Sequence, residues 1–268
     1  MDKLSNQTVW SDDVDLNVRG RPGSPTVLFL HGLAGHGGEW IPVIEHLDAA
    51  AGVIAPDQRA HGASFHPTQT CDLGREAFVA DGIRLIEAFA DEPIVVVGQS
   101  MGGIAALLIA HARPDLVKHL VLVEAGISAM TEDDLAGLRQ WFESWPQSFA
   151  DADEAMDFFG RDAPSTPAWV SGLERSAHGL TARFRIEEMM EAIRSLGLTN
   201  RSSEWQALTI PATLISAANG FLDAAELADM KALRPTTTVV TVDDAGHDVH
   251  LDQPVTVARL IAAVLTTN

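Results

Sequence analysis

Short apolar runs rich in β-branched residues recur at positions 27–30, 53–55, 94–97, 120–123, 212–215 and 239–242, bounded by glycine, proline or polar residues. Runs of this length and make-up read as buried strands. Helix-forming stretches lie between them, near 40–47, over 75–89, over 101–112 and from Pro254 onward. Strands alternating with helices predict an α/β fold: a mostly parallel central sheet with helices on both faces. Residues up to about Arg21 alternate weakly, with turn signals at Gly20, Pro22, Gly23 and Pro25, which predicts an antiparallel hairpin opening the sheet.

The strand signal vanishes from about Ile127 to Trp205. Helix-like segments at 131–142, 151–159, 167–175 and 186–196, divided by Pro146, Pro164, Gly172, Gly179 and Gly197, predict a helical cap inserted after the strand ending at Val123. The expected division is a core of residues 1–126 and 206–268 with a cap of 127–205. Thr131 ahead of Glu132, Asp133 and Asp134 is a helix start, its hydroxyl able to cap and its acids favouring the first turn. Aromatics at helical spacing chiefly pack a cap onto its core, and Trp145 is the one taken as a substrate-binding candidate. Arg183 and Arg185 precede the last cap helix and are candidates for gripping a substrate carboxylate.

Composition narrows the partners. The chain has 268 residues, 46% of them hydrophobic, and a formal net charge of −19, with a pI near 4.7 and mean hydropathy of +0.08. Nucleic acid is excluded as a partner, because phosphate binding relies on a basic surface. No apolar run reaches the ~18 residues of a membrane span, and the polar start lacks a signal-peptide core, so the expectation is a cytoplasmic protein without a membrane partner. The single cysteine, Cys71, cannot form an internal disulfide and is taken as a packing residue. His247 and His250 lack other metal-type residues at ligand spacing, so no metal is expected. Oligomeric state is left open.

The chemistry gathers around Gly98-Gln99-Ser100-Met101-Gly102-Gly103, a G-x-S-x-G turn directly after one strand and before one helix. A sharp strand-to-helix turn lifts the serine into a cleft at the helix N-terminus, where N–H groups and the dipole favour a developing anion. Ser100 is therefore the candidate nucleophile. The loop from His31 to Gly38 follows the strand 27–30 and can bring a second N–H to the serine, which nominates Leu33 and Met101 for an oxyanion hole. His247, on a loop past the strand 239–242, is the candidate base, since its intrinsic pKa lies near working pH. His250 is its rival.

With these residues quoted, the chain from about Thr26 onward resembles the α/β-hydrolase fold family. Asp57 to Ser64 resembles that family's D-x-R-G-x-G-x-S segment, with Ala60 in place of a usual glycine, and Gly246-His247 with Pro254 resembles its terminal block. The resemblance implies a third member, an acid that orients His247. The usual position, after the strand 212–215, reads Ser216-Ala217-Ala218-Asn219-Gly220-Phe221-Leu222 and holds no carboxylate before Asp223. Glu124, at the end of the strand 120–123, is the preferred acid, and Asp223 the alternative. The expected separation of the Glu124 carboxylate from Nδ1 of His247 is about 2.6 to 3.2 Å. The implied activity is that of a serine hydrolase acting on a small carboxylic ester, lactone or amide without a cofactor. Carbon–carbon bond hydrolysis, perhydrolysis and ligand binding without turnover are the alternatives. A serine at the elbow and a chain without tyrosine disfavour dehalogenase and epoxide hydrolase chemistry.

Overall fold

A computed structural model describes residues 4–24 and 26–266. Its strands are β1 (Ser5–Ser11), β2 (Val14–Arg21), β3 (Thr26–Leu30), β4 (Gly52–Pro56), β5 (Ile94–Gln99), β6 (Val117–Val123), β7 (Glu174–Ser176), β8 (Gly179–Thr181), β9 (Ala212–Ala217) and β10 (Thr238–Val242). Eight of them form one sheet in the order β1-β2-β4-β3-β5-β6-β9-β10. All neighbours from β4 onward run parallel, whereas β2 is antiparallel to β1 and to β4.

Side-chain alternation sorts this sheet into two layers. Leu28, Leu30, Val96, Leu120 and Leu122 face the helices Arg75–Phe89 and Met101–Ala112. Val27, Phe29, Val95, Val97, Val121 and Val123 face the helix Pro254–Leu265 and the short turn Ile41–Ile44. Strands β4, β5 and β9 are buried at every position, as parallel strands covered on both faces must be. Each such Val, Leu or Phe contributes on the order of 1.5–3 kcal/mol by leaving water.

The opening hairpin turns at Asp12 and Asp13; of the Gly and Pro cluster, Gly20 lies within β2, Pro22 and Gly23 follow it, and Pro25 lies outside the described residues. Asp12 has φ of 52°, a left-handed conformation that aspartate tolerates better than most residues.

Between β6 and β9 lie the helices Glu132–Glu143, Ala152–Phe159, Thr166–Ser171, Ile186–Gly197 and Ser202–Ala207. Thr131 caps the first of them: its hydroxyl accepts from the Asp134 N–H at 3.1 Å, and the Asp134 carboxylate accepts from the Thr131 N–H at 2.7 Å. The helix expected over 167–175 stops at Ser171, and β7 and β8 follow as an antiparallel hairpin where no strand was expected. Leu180 of β8 exchanges both backbone hydrogen bonds with Phe149, at 2.8 and 2.7 Å, around a small core of Phe149, Ala155 and Leu180. The two ends of this region meet where the Arg201 N–H donates to the Ile127 carbonyl at 2.7 Å. Among the described residues no helix is long and apolar enough to cross a membrane.

Candidate active site

Ser100 joins β5 to the helix Met101–Ala112 with φ of 50° and ψ of −119°, a backbone conformation strained for any L-residue. The turn is held from both sides: the Ser100 N–H donates to the Val123 carbonyl at 3.0 Å, and its carbonyl accepts from Gly103 and Ile104 at 2.9 and 3.1 Å. Gly102 is required by packing, since a Cβ there would stand under 3.0 Å from the carbonyl oxygens of Leu30 and His31. That contact seats the helix N-terminus directly on the end of β3.

The next turn of chain, His31-Gly32-Leu33-Ala34, is braced from beneath. The Gln58 N–H donates to Nε2 of His31 at 2.8 Å, so the ring proton resides on Nδ1 and donates to the Gly32 carbonyl at 2.7 Å. Burial, with a further contribution from His61, keeps this imidazole well below its ordinary pKa and hence neutral. Ala34 takes φ of 62°, which turns the chain back over the site. Among the described residues the N–H groups of Leu33 and Met101 have no hydrogen-bond partner.

Asp57 and Arg59 brace neighbouring loops. The Asp57 carboxylate accepts from the N–H groups of Gly37 and Ala63, both at 2.8 Å, and pairs with Arg19, while Arg59 makes two 2.7 Å bonds to Asp81. Ala60, which replaces the family's usual glycine, sits at φ of 64°, so the position does call for glycine-like geometry.

Glu124 and His247 are brought together. Nδ1 of His247 lies 3.5 Å from Oε2 of Glu124, longer than the expected 2.6 to 3.2 Å. The carboxylate is held back by the N–H groups of Ala217 and Phe221, each donating at 2.7 Å. Burial opposes ionisation of this completely buried group, but His247 and those two N–H groups outweigh it and hold the carboxyl below the usual glutamate range. Asp223 does not approach the histidine: it caps the helix Ala224–Leu233, accepting from the Glu226 N–H at 2.8 Å. His247 is half-buried, its carbonyl accepts from Nε2 of Gln99 at 3.1 Å, and its ring stands edge-on to Phe221 with centroids 5.5 Å apart. His250, the rival, is completely buried and stacks near Trp40 at 4.5 Å.

A cleft between the loop after β3 and the helices that lie between β6 and β9 is lined by Ala34, Gly35, Glu39, Trp145, Trp169 and Arg183, among others; Ser100 and His247 lie outside this lining. Trp169 donates from Nε1 to the carboxylate of Asp248, the residue after His247, at 3.3 Å. Arg183 pairs with Glu174 at 3.0 Å at the rim. Arg185 does not join it. Its guanidinium donates to the carbonyls of His66, Pro67 and Gln69, at 3.1, 2.9 and 2.6 Å, pairs with Glu188 and lies over the Phe65 ring, so it fastens the 66–69 loop. Trp145 packs edge-on against Trp141, Phe159 and Phe184 at 5.2, 4.8 and 5.4 Å, so it holds an aromatic cluster together as well as lining the cleft. Cys71 is half-buried, and burial pushes its thiol up to about 11, away from nucleophilic use.

Sequence reasoning missed two residues here. His36 accepts the Gly38 N–H on Nδ1 at 3.1 Å and donates from Nε2 to the Ala168 carbonyl at 3.2 Å, latching the loop to the helix Thr166–Ser171. Glu39 lies buried beneath Gly35. Both sit in the glycine-rich His31–Trp40 segment, where a polar residue among glycines was the available signal.

A profile described as the alpha/beta hydrolase fold matches residues 25–254. The chain is 28% identical over 250 residues to a 2-(acetamidomethylene)succinate hydrolase of Mesorhizobium japonicum, covering 90% of this chain and 88% of that enzyme. It is 26% identical over 248 residues to an sn-1-specific diacylglycerol lipase of Mus musculus, across 86% of this chain and 77% of the lipase. The crystal structure of an E-2-(acetamidomethylene)succinate hydrolase superposes with a TM-score of 0.87 at 25% identity, covering 98% of this chain and 100% of that one. A thioesterase domain from the curacin biosynthetic pathway, at 22% identity and TM-score 0.81 over 97% of this chain and 99% of that one, shares the fold.

Proposed function

This chain belongs to the alpha/beta hydrolase fold family, and from that premise we propose that it is a serine hydrolase cleaving a small ester or amide that carries a carboxylate. The observation that carries the reading is the strained Ser100 at the head of its helix, next to Gln99, whose side chain bonds the carbonyl of His247, the imidazole backed by the buried Glu124 carboxylate. In this mechanism His247 takes the Ser100 proton as Oγ attacks the carbonyl carbon. The oxygen that becomes negative is met by the N–H groups of Leu33 and Met101, which have no other partner among the described residues. His247 then gives its proton to the departing alcohol or amine, leaving an acyl-serine that water opens by the same steps in reverse. Glu124 is the positioning residue: as a carboxylate it accepts from Nδ1, fixes the tautomer and stabilises the imidazolium.

The substrate carboxylate is supported by Arg183 at the cleft rim, with Trp145 forming part of the wall. It also agrees with the names of two relatives as hydrolases of substituted succinates, from Mesorhizobium japonicum and, at 24% identity over 254 residues, from Acinetobacter baylyi. The cap region, residues 127–205, would close over the substrate and exclude water. A fluorophosphonate probe tests the chemistry: it should label the protein and fail to label Ser100→Ala. Equal labelling of both would remove Ser100 from the mechanism.

A further inference from the structure

His247 reaches Ser100 from a distant strand. Its loop follows β10, and in the sheet order β5-β6-β9-β10 two strands separate β10 from β5, the strand that ends next to Ser100. At about 4.8 Å between neighbouring strands, the loop must reach back roughly 14 Å across the ends of β9 and β6. It is tied down along the way. The Asn219 N–H, just past β9, donates to the Ala245 carbonyl at 3.0 Å. Glu124, just past β6, lies 3.5 Å from Nδ1 of His247. Gln99, the last residue of β5, donates from Nε2 to the His247 carbonyl at 3.1 Å.

The tie from Gln99 bears most directly on the reacting atoms, because Gln99 precedes Ser100 in the chain. It is 2% exposed, on a strand buried at every position. Facing a carbonyl oxygen, the amide must present its NH₂ group, which turns Oε1 the other way. Oε1 lies beneath Gly32, at the start of the loop that carries Leu33, where a Cβ would stand under 3.0 Å from it. The amide is thus held between the loop of the base and the loop that supplies the Leu33 N–H. Its 3.1 Å bond is the shorter of the two that meet His247 and hence the firmer, since the Glu124 carboxylate is committed to the N–H groups of Ala217 and Phe221.

We propose that Gln99 is a second positioning residue: its amide sets the distance between Ser100 and His247, while Glu124 serves the charge and tautomer of the imidazole. The proposal rests on the serine-hydrolase reading above. Proton transfer from Oγ to the imidazole needs the two groups within hydrogen-bond reach, and a displacement of about 1 Å costs on the order of 10²-fold in rate. A side chain that touches neither substrate nor reacting atoms thereby governs the rate through the backbone of the base.

The test compares rates of labelling by a fluorophosphonate probe, which needs an activated Ser100 but no bound substrate. Gln99→Met keeps the length of the side chain and has no N–H to donate; it should be labelled about 10- to 100-fold more slowly than the wild-type protein. Gln99→Asn keeps an amide on a side chain one methylene shorter and should be slowed likewise, so a folding failure of either variant leaves the other. In a His247→Ala background, Gln99→Met should change the residual labelling by less than about twofold, because its effect travels through the imidazole. A role in shaping the elbow itself would slow both backgrounds equally.

Histidine-selective NMR supplies a readout that does not depend on labelling. The His247 ring signal, identified by its loss in His247→Ala, should shift or broaden in Gln99→Met as the ring loses its fixed place. An unchanged His247 signal, wild-type labelling in Gln99→Met, or an equal slowing in the His247→Ala background would each overturn the proposal. Failure of the serine-hydrolase reading would look different: the wild-type protein would take no label, and the His247 signal would still decide whether Gln99 holds the ring.

Discussion

The Glu124 carboxylate occupies the space that a side chain at Gly220 would need, for a Cβ on Gly220 would stand under 3.0 Å from both carboxylate oxygens. Gly220 lies in the loop where the family's acid usually sits, so the two positions compete for one volume. The competition explains why Asn219-Gly220 carries no acid and Glu124 does. Glu124→Gln should keep the shape but oppose an amide NH₂ to one of the two N–H donors, Ala217 or Phe221. Turnover should fall by about 10² to 10⁴, less than in Ser100→Ala, with about 1–3 kcal/mol of stability lost. Moving the acid, as Glu124→Gly with Gly220→Asp, should return part of the turnover that Glu124→Gly loses. Steady-state rates of the three variants check both statements.

Ser100 holds its conformation at a cost to stability. With φ of 50° and ψ of −119°, the position favours glycine by about 1–3 kcal/mol, less about 0.4–1 kcal/mol of added unfolded-state freedom. Ser100→Gly should therefore melt at a higher temperature than Ser100→Ala, although turnover should fall in both by at least about three orders of magnitude. His247→Ala should lose turnover comparably. If Ser100→Gly melted below Ser100→Ala, the elbow would not be strained.

Arg183 and Arg185 are two residues apart in sequence but serve different surfaces. Arg183→Ala should raise KM for a carboxylated ester more than for its neutral analogue, because only the first has a charge for the cleft to meet. Arg185→Ala removes the bonds to three loop carbonyls and should lower the melting temperature while changing both KM values alike. A preferential KM effect in Arg185→Ala, with stability intact, would reverse these assignments.

Much of this site was legible because its parts sit on strong local patterns. The β5 run and the following helix make the elbow visible, and Glu124 stands out as a carboxylate closing an apolar strand. The hairpin of β7 and β8 was invisible for a physical reason: β7 is exposed at all three positions and β8 buries only Leu180, so no alternating pattern exists to read. The Asp12-Asp13 turn was missed because glycine and proline nearby are louder signals than aspartate in a left-handed conformation. Arg183 and Arg185 are alike in sequence, and only tertiary packing separates them. The reason for Gly220 is tertiary as well, since its partner lies on another strand end.

Stability should peak near neutral pH, because buried imidazoles and a buried carboxyl group pull in opposite directions. Burial lowers His61, His119 and His250 to about 4, and His31 well below its ordinary value, from 6.5 in the unfolded chain. The unfolded state therefore binds protons that the native state refuses, and the stability these groups give above pH 6.5 is lost as pH falls from 6.5 toward 4. Each contributes up to about 1.4 kcal/mol per pH unit inside that window. Glu39 has the reverse sign: raised from 4.5 to about 8, it favours the native state at low pH and costs stability as pH rises across that interval. Below 6.5 the four imidazoles outnumber it and stability climbs with pH; above 6.5 they are neutral in both states and Glu39 alone turns the curve downward. Urea midpoints taken from pH 4 to 9 at fixed ionic strength should trace that maximum. His250→Leu should make the acid limb shallower, and Glu39→Gln should remove the decline between 6.5 and 8 while leaving the acid limb in place. A decline that persists in Glu39→Gln would mean that Glu39 is already ionised at neutral pH in the folded protein.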